Sequence, residues 1–98
     1  MSMKKLDNIA ITIIGTDGMT RALGYNEKFY PTMEDFEKSL RVDFGENNAK
    51  QYENVKTYSV LLTFDDTENM AFYFDGADTK STDIPDLVMT TAKRQLED

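Results

Sequence analysis

The chain contains no histidine, cysteine or tryptophan among its 98 residues. Without histidine it lacks the side chain best suited to proton transfer at neutral pH. Without cysteine it lacks disulfides, thiolate metal ligands and thiol nucleophiles. Because the sequence also shows no motif that names a reaction, we expect a binding protein that is not an enzyme and has no cofactor.

A long hydrophobic run is also missing. The stretch from Ile9 to Ile14 is rich in apolar residues but spans only six positions, whereas a membrane-spanning helix needs about 20. Lys4 and Lys5 precede it, but Asp7 interrupts the pattern of a secretory signal. We therefore expect no membrane association and a cytoplasmic location, within a bacterial host cell if a phage encodes the protein.

The composition is nevertheless that of a folded protein. Hydrophobic residues make up 40% of the chain and aromatic residues 11%, which is too much apolar surface for a disordered acidic tail. We see no internal repeat, low-complexity tract or linker. Residues 1–98 are therefore predicted to form a single globular domain with one modest core.

The N-terminal part of the chain predicts a strand and a turn. From Asn8 to Ile14, Ile9, Ile11 and Ile13 alternate with more polar residues, which is the period of a half-buried strand. The Gly15-Thr16-Asp17-Gly18 segment then predicts a turn. Residues 19–24 fit either the return strand of a hairpin or a short helical turn, and we favour the hairpin.

A second hairpin is predicted from Val55–Phe64 and Met70–Asp75, joined by residues 65–69. Pairing Phe64 with Met70 would place Leu62 opposite Phe72 on a face turned toward the core. The opposite face would carry Leu61 and Tyr73, either exposed to solvent or in contact with a partner.

Two helices complete the predicted fold. Thr32 is a suitable N-cap for a first helix that ends near Gly45, and a second helix is expected to begin at Asp83 or Ile84. Short connections favour an antiparallel arrangement. We therefore predict an α+β, two-layer domain with an antiparallel sheet of three or four strands and both helices on one face.

The net charge is concentrated in the middle of the chain. Residues 34–78 hold eleven carboxylates and four basic side chains, a balance of −7 that equals the net charge of the whole chain. Such a surface attracts basic proteins and repels nucleic acid and anionic lipid. We therefore expect a basic protein partner, for example a nuclease, and no direct binding to nucleic acid.

The residues predicted to bind this partner lie on the first helix and the second hairpin, where we expect the side chains to be rigidly presented and solvated. They are Glu34, Glu37, Asp65, Asp66, Glu68 and Tyr73. Three of them, Asp65, Asp66 and Glu68, are also oxygen donors of the kind that Mg²⁺ and Ca²⁺ accept. An open hairpin loop seldom shields carboxylates, so we expect no metal site and no catalytic residue.

Two functions from different classes follow from this pattern. The first is an acidic, non-catalytic inhibitor of a basic nucleic-acid-handling protein, of the phage or mobile-element anti-defence type, such as an anti-CRISPR protein or a nucleic-acid mimic. The alternative is a small structural or assembly subunit, such as a virion or tail component, that forms homo-oligomers through its sheet edge or its Leu61 and Tyr73 face. A carboxylate-based, metal-dependent enzyme ranks last.

Overall fold

A computed structural model describes residues 4–97, and in these residues four strands form one antiparallel sheet. The strands are β1 (Leu6–Gly15), β2 (Thr20–Asn26), β3 (Val55–Phe64) and β4 (Glu68–Asp75). Their order across the sheet is β2-β1-β3-β4. The two hairpins therefore lie side by side, joined by the pairing of β1 with β3.

Two α-helices form the second layer: α1 (Met33–Asp43) and α2 (Ile84–Glu97). Two 3₁₀ helices, Glu46–Tyr52 and Ser81–Asp83, lie in the connections. This arrangement confirms the predicted α+β, two-layer fold. No helix within residues 4–97 is both long and apolar enough to cross a membrane.

The core lies between the helices and the inward side chains of the sheet. Its most deeply buried members include Ile9, Ile11, Leu40, Val60, Leu62, Ile84 and Val88. Burial of each such side chain stabilises the fold by about 1.5–3 kcal/mol before the entropic cost of ordering it is counted. In this layer the apolar side chains that alternate along the strands pack against the apolar faces of the helices.

Residues 20–26 form the return strand of the first hairpin, as we favoured, rather than a helical turn. The turn depends on Gly18, whose φ of 85° is accessible to glycine at little cost. It is closed by the amide of Gly15, which donates to the carbonyl of Met19 over 2.8 Å.

The register predicted for the second hairpin is wrong by two residues. Phe64 pairs with Glu68, and Leu62 pairs with Met70 instead of Phe72. The turn is tighter than expected because Asp65 and Asp66 both adopt positive φ angles, of 50° and 59°. Aspartate tolerates this region better than most residues, and tight hairpin turns favour it. A shift of two residues keeps every side chain on its original face, so Leu62 is still buried.

The start of α1 is fixed by a capping box, as the N-cap prediction at Thr32 anticipated. The hydroxyl of Thr32 accepts a hydrogen bond from the amide of Asp35 over 3.1 Å, and the Asp35 carboxylate accepts from the Thr32 amide over 3.2 Å. Two of the free amides at the helix start are thereby satisfied.

Candidate functional site

Glu37 on α1 is not the free, solvated carboxylate that the sequence predicted. Its oxygens lie 3.1 Å from the Arg41 guanidinium and 3.3 Å from the Lys93 ammonium of α2. The hydrogen bond from Arg41, followed by that from Lys93, holds the pKa of Glu37 below its ordinary value. Arg41 also pairs with Asp86 at 2.6 Å. This network ties α1 to α2 and neutralises much of the local charge.

The hairpin carboxylates are also engaged by the N-terminal lysines. Glu68 pairs with the Lys4 ammonium at 2.6 Å, and the Asp65 carboxylate accepts a hydrogen bond from the Lys5 amide over 3.0 Å. Both lysines immediately precede β1, which lies beside β3 in the sheet. The sequence therefore located these acidic residues but not the Lys4 ammonium and the Lys5 amide that contact them.

A cluster that the sequence did not predict lies beside the same turn. Asp7 is only 4% exposed, and its carboxylate accepts a hydrogen bond from the amide of Asp66. Glu27 lies beside it and forms an ion pair with Lys5 at 2.6 Å. Asp7 has the same parity along the strand as Ile9, Ile11 and Ile13, so alternation alone could have placed it on the inward face.

The electrostatics of this cluster are set by burial and by Lys5. Burial raises the pKa of the Asp7 carboxyl, whereas the hydrogen bond from Lys5 lowers the pKa of Glu27. Oxygens of Asp7, Glu27 and Asp66 lie within 4.8 Å of one another, a spacing compatible with a hard cation. The Lys5 ammonium already supplies positive charge there, so we interpret the cluster as a structural tie between β1 and the β3–β4 turn.

The six residues predicted to bind a partner lie on three parts of the fold: α1, the β3–β4 turn and the side of the sheet opposite the helices. Glu34 is exposed on α1, and Asp65, Asp66 and Glu68 lie at the β3–β4 turn. Tyr73 projects from the side of the sheet opposite the helices, where its side chain is 68% exposed.

That opposite side of the sheet is the most distinctive surface of the described residues, and we call it the open face. The strand registers arrange it as four rows of four side chains across β2, β1, β3 and β4. The rows are Asn26-Asn8-Thr63-Asn69, Gly24-Ala10-Leu61-Ala71, Ala22-Thr12-Ser59-Tyr73 and Thr20-Ile14-Thr57-Asp75. Asp75, at one corner, is the single charged residue among these sixteen.

The polar groups of the open face partly satisfy one another. The Asn26 side-chain amide donates to Asn8 over 3.4 Å, and the Thr63 hydroxyl donates to Asn69 over 3.0 Å. Such pairs reduce the cost of removing the row from water, because their groups keep hydrogen bonds when the face is covered. The face is therefore chemically suited to contact another surface.

Its shape is uneven from one side to the other. Gly24, Ala10 and Ala22 make the β1–β2 half shallow, whereas Leu61 and Tyr73 protrude from the β3–β4 half. The Leu61 side chain is 39% exposed. In its two middle rows, the face is thus raised at Leu61 and Tyr73 and low at Ala10, Gly24 and Ala22, on opposite sides of the line between β1 and β3.

A cleft of about 520 Å³ lies on the other side of the sheet, between β2 and the 3₁₀ helix 46–52. The Arg21 guanidinium stacks 4.9 Å from the Tyr52 ring centroid and donates to the Gln51 carbonyl over 2.9 Å. Nearby, the Tyr25 hydroxyl donates to Asp43 over 2.6 Å, and burial raises the pKa of this phenol far above neutrality. These groups are engaged with one another, and the raised pKa keeps the Tyr25 phenol protonated at neutral pH.

Within residues 4–97, the open face therefore contains no ion pair, whereas Glu37, Glu68 and the groups of the cleft are held by neighbouring side chains. No protein-family model matches this chain, and no curated protein or solved structure matches it either.

Proposed function

We propose that this chain is a non-catalytic assembly protein that binds a protein partner through the open face of its sheet. The observation that supports this proposal is the near absence of charge on the open face of a chain in which 30% of residues are charged. A solvated sheet face in so charged a protein would be expected to carry several acidic or basic side chains.

The composition of the face agrees with that of known interface cores, which are depleted in charged residues and enriched in aromatic ones. Tyr73 and Leu61 provide protruding apolar area, and tyrosine is common among the residues that dominate binding energy. These features support the assembly class, which is the alternative that the sequence analysis kept open.

The proposal is tested by placing the photoreactive residue p-benzoylphenylalanine at Tyr73 in cells that express the protein. Phe29 is the matched control, because it is also an exposed aromatic residue, at 79%, but lies in the β2–α1 connection. Irradiation should give an adduct of defined mass from position 73 and none from position 29. An adduct from position 29 with none from position 73 would contradict the proposal.

The inhibitor hypothesis is the second candidate. It is supported by Glu34, Asp65 and Asp66, which remain exposed on α1 and on the β3–β4 turn. A basic nucleic-acid-handling protein, such as a nuclease, is the partner that these carboxylates would attract. We rank it below the assembly proposal because Glu37 and Glu68 already have basic partners within the chain.

A further inference from the structure

We infer that the partner of the open face is a second copy of this chain, in a two-fold symmetric dimer packed sheet against sheet. This inference rests on the proposed function, because it names the occupant of the same surface. Three features of the described residues lead to it: the uneven shape of the face, its lack of charge and its area.

The shape of the face is complementary to itself. A two-fold axis that runs parallel to the strands, along the line between β1 and β3, places β4 of one copy over β2 of the other. Tyr73 then lies over Ala22, and Leu61 lies over Ala10, because the axis keeps each residue in its own row. The two protruding side chains of each copy thus lie over small residues of its partner, in the reciprocal arrangement of an isologous interface.

Other symmetric arrangements fit less well. A two-fold axis perpendicular to the strands would place β2 over β2, so that the small residues Gly24 and Ala22 would face each other. The axis along the strands is also compatible with the small angle, about 30°, at which two twisted sheets pack. The positions of the large and small side chains therefore favour the axis along the strands.

Charge favours the same surface. The chain carries −7, so two copies repel each other through most approaches. On the open face, Asp75 is the single charged side chain, and the two-fold axis places it over the neutral Thr20 of the other copy. Two copies can therefore meet there without facing carboxylates.

The area of the face is sufficient for a weak dimer. Four strands spaced about 4.8 Å apart, and four rows spaced about 6.8 Å apart, give a footprint of roughly 500 Å² on each copy. The total of roughly 1,000 Å² lies at the low end of specific interfaces. We therefore expect association that depends on concentration rather than a permanent dimer.

Sedimentation equilibrium of the full chain, from about 1 µM to about 500 µM, tests for such a dimer. The wild-type chain should change from monomer to dimer across this range. Tyr73→Lys and Leu61→Lys should raise the dissociation constant roughly tenfold or more, because each places a charge in the interface. Val42→Lys is the matched control, since Val42 is 68% exposed, as Tyr73 is, but lies on α1.

Two results of this experiment would overturn the inference. One is a wild-type chain that remains monomeric at every concentration. The other is a dimer that Val42→Lys weakens as much as Tyr73→Lys does. Circular dichroism on each variant ensures that a loss of association does not reflect a loss of fold.

Mass-spectrometric mapping of the adduct formed by p-benzoylphenylalanine at position 73 tests the geometry of the dimer. The purified chain should cross-link to a second copy at residues of β1 or β2 near Ala22. Attachment within β4 or on α1 would contradict the two-fold arrangement. An adduct with a different protein in cells, and none with a second copy, would overturn the dimer while leaving the proposed function intact. No adduct from position 73 would contradict both.

Discussion

Asp7 is a residue whose structural role the sequence did not predict. In the sequence it precedes the strand predicted from Asn8 to Ile14 and follows two lysines, yet in the structure it lies within β1, is buried and accepts a hydrogen bond from the amide of Asp66. The hydrogen bond joins β1 to the β3–β4 turn, in which Asp65 and Asp66 both adopt positive φ angles. Alternation predicts that Asp7 points inward, but only the turn conformation explains why a carboxylate is tolerated there.

The pH dependence of Asp7→Asn tests this interpretation. Because burial raises the pKa of Asp7 in the folded chain, its contribution to stability is fully present below the ordinary aspartate pKa and is lost as the pH rises through the folded pKa. Asparagine can still accept the hydrogen bond but carries no charge. The variant should therefore gain stability relative to the wild type as the pH rises from about 3 to about 7.

Urea denaturation at both pH values measures this difference, and Asp78→Asn, at an exposed position, is the control. If the free energies of unfolding of Asp7→Asn and the wild type differ by the same amount at both pH values, then burial does not raise the pKa of Asp7.

Leu62 and Leu61 provide a second test at the residue scale, since they are adjacent but lie on opposite faces of β3. Leu62 is fully buried, so Leu62→Asp should place an unpaired charge in the core and cost about 4 kcal/mol or more. Leu61→Asp should leave the monomer folded, because its side chain faces outward. Thermal denaturation of both variants checks this. Comparable losses of stability would show that the assignment of Leu62 to the inward face and Leu61 to the outward face of β3 is wrong.

Local sequence patterns predicted most of the strands and helices. The alternation of Ile9, Ile11 and Ile13 identified β1 and its inward face, and Thr32 identified the start of α1. The register of the β3–β4 hairpin was wrong because its loop length depends on the conformations of Asp65 and Asp66, which composition alone does not determine. The period of a strand still kept the correct face inward.

The capping box gives a prediction for α1. Thr32→Ala removes the hydroxyl that accepts from the Asp35 amide and should lower the free energy of unfolding by about 1 kcal/mol. Thr90→Ala is the matched control, because Thr90 is exposed within α2 and caps no helix end. Urea denaturation measures both variants, and an equal effect of the two substitutions would argue against the cap.

At the scale of the whole molecule, the sequence showed where the acidic residues lie but not which basic residues pair with them. Lys4 and Lys93 lie in the two flanks of the chain, yet they pair with Glu68 and Glu37 in the acidic middle. These pairings depend on tertiary contacts between distant segments. The sequence predicted only part of the open face, through Leu61 and Tyr73. The rest of the face depends on the pairing of β1 with both of its neighbours.

The role of the remaining carboxylates is tested by Glu34→Lys combined with Asp66→Asn. Both side chains are exposed, and asparagine tolerates the positive φ angle at position 66. The double variant should bind the partner captured at position 73 with an affinity within about twofold of the wild type, since these residues lie outside the open face. A tenfold or larger loss, measured by fluorescence anisotropy, would favour the inhibitor hypothesis.

The central claim is that binding occurs through the open face and not through the exposed acidic residues of α1 and the β3–β4 turn, and salt dependence tests it most directly. The measurement is the dissociation constant of the complex between this chain and the partner identified by cross-linking at position 73. It is measured at NaCl concentrations from about 50 mM to about 500 mM. For a second copy, salt screens the repulsion between two chains of charge −7, so the affinity should stay constant or increase. A steep loss of affinity with rising salt would contradict the account and indicate a basic partner on the carboxylates.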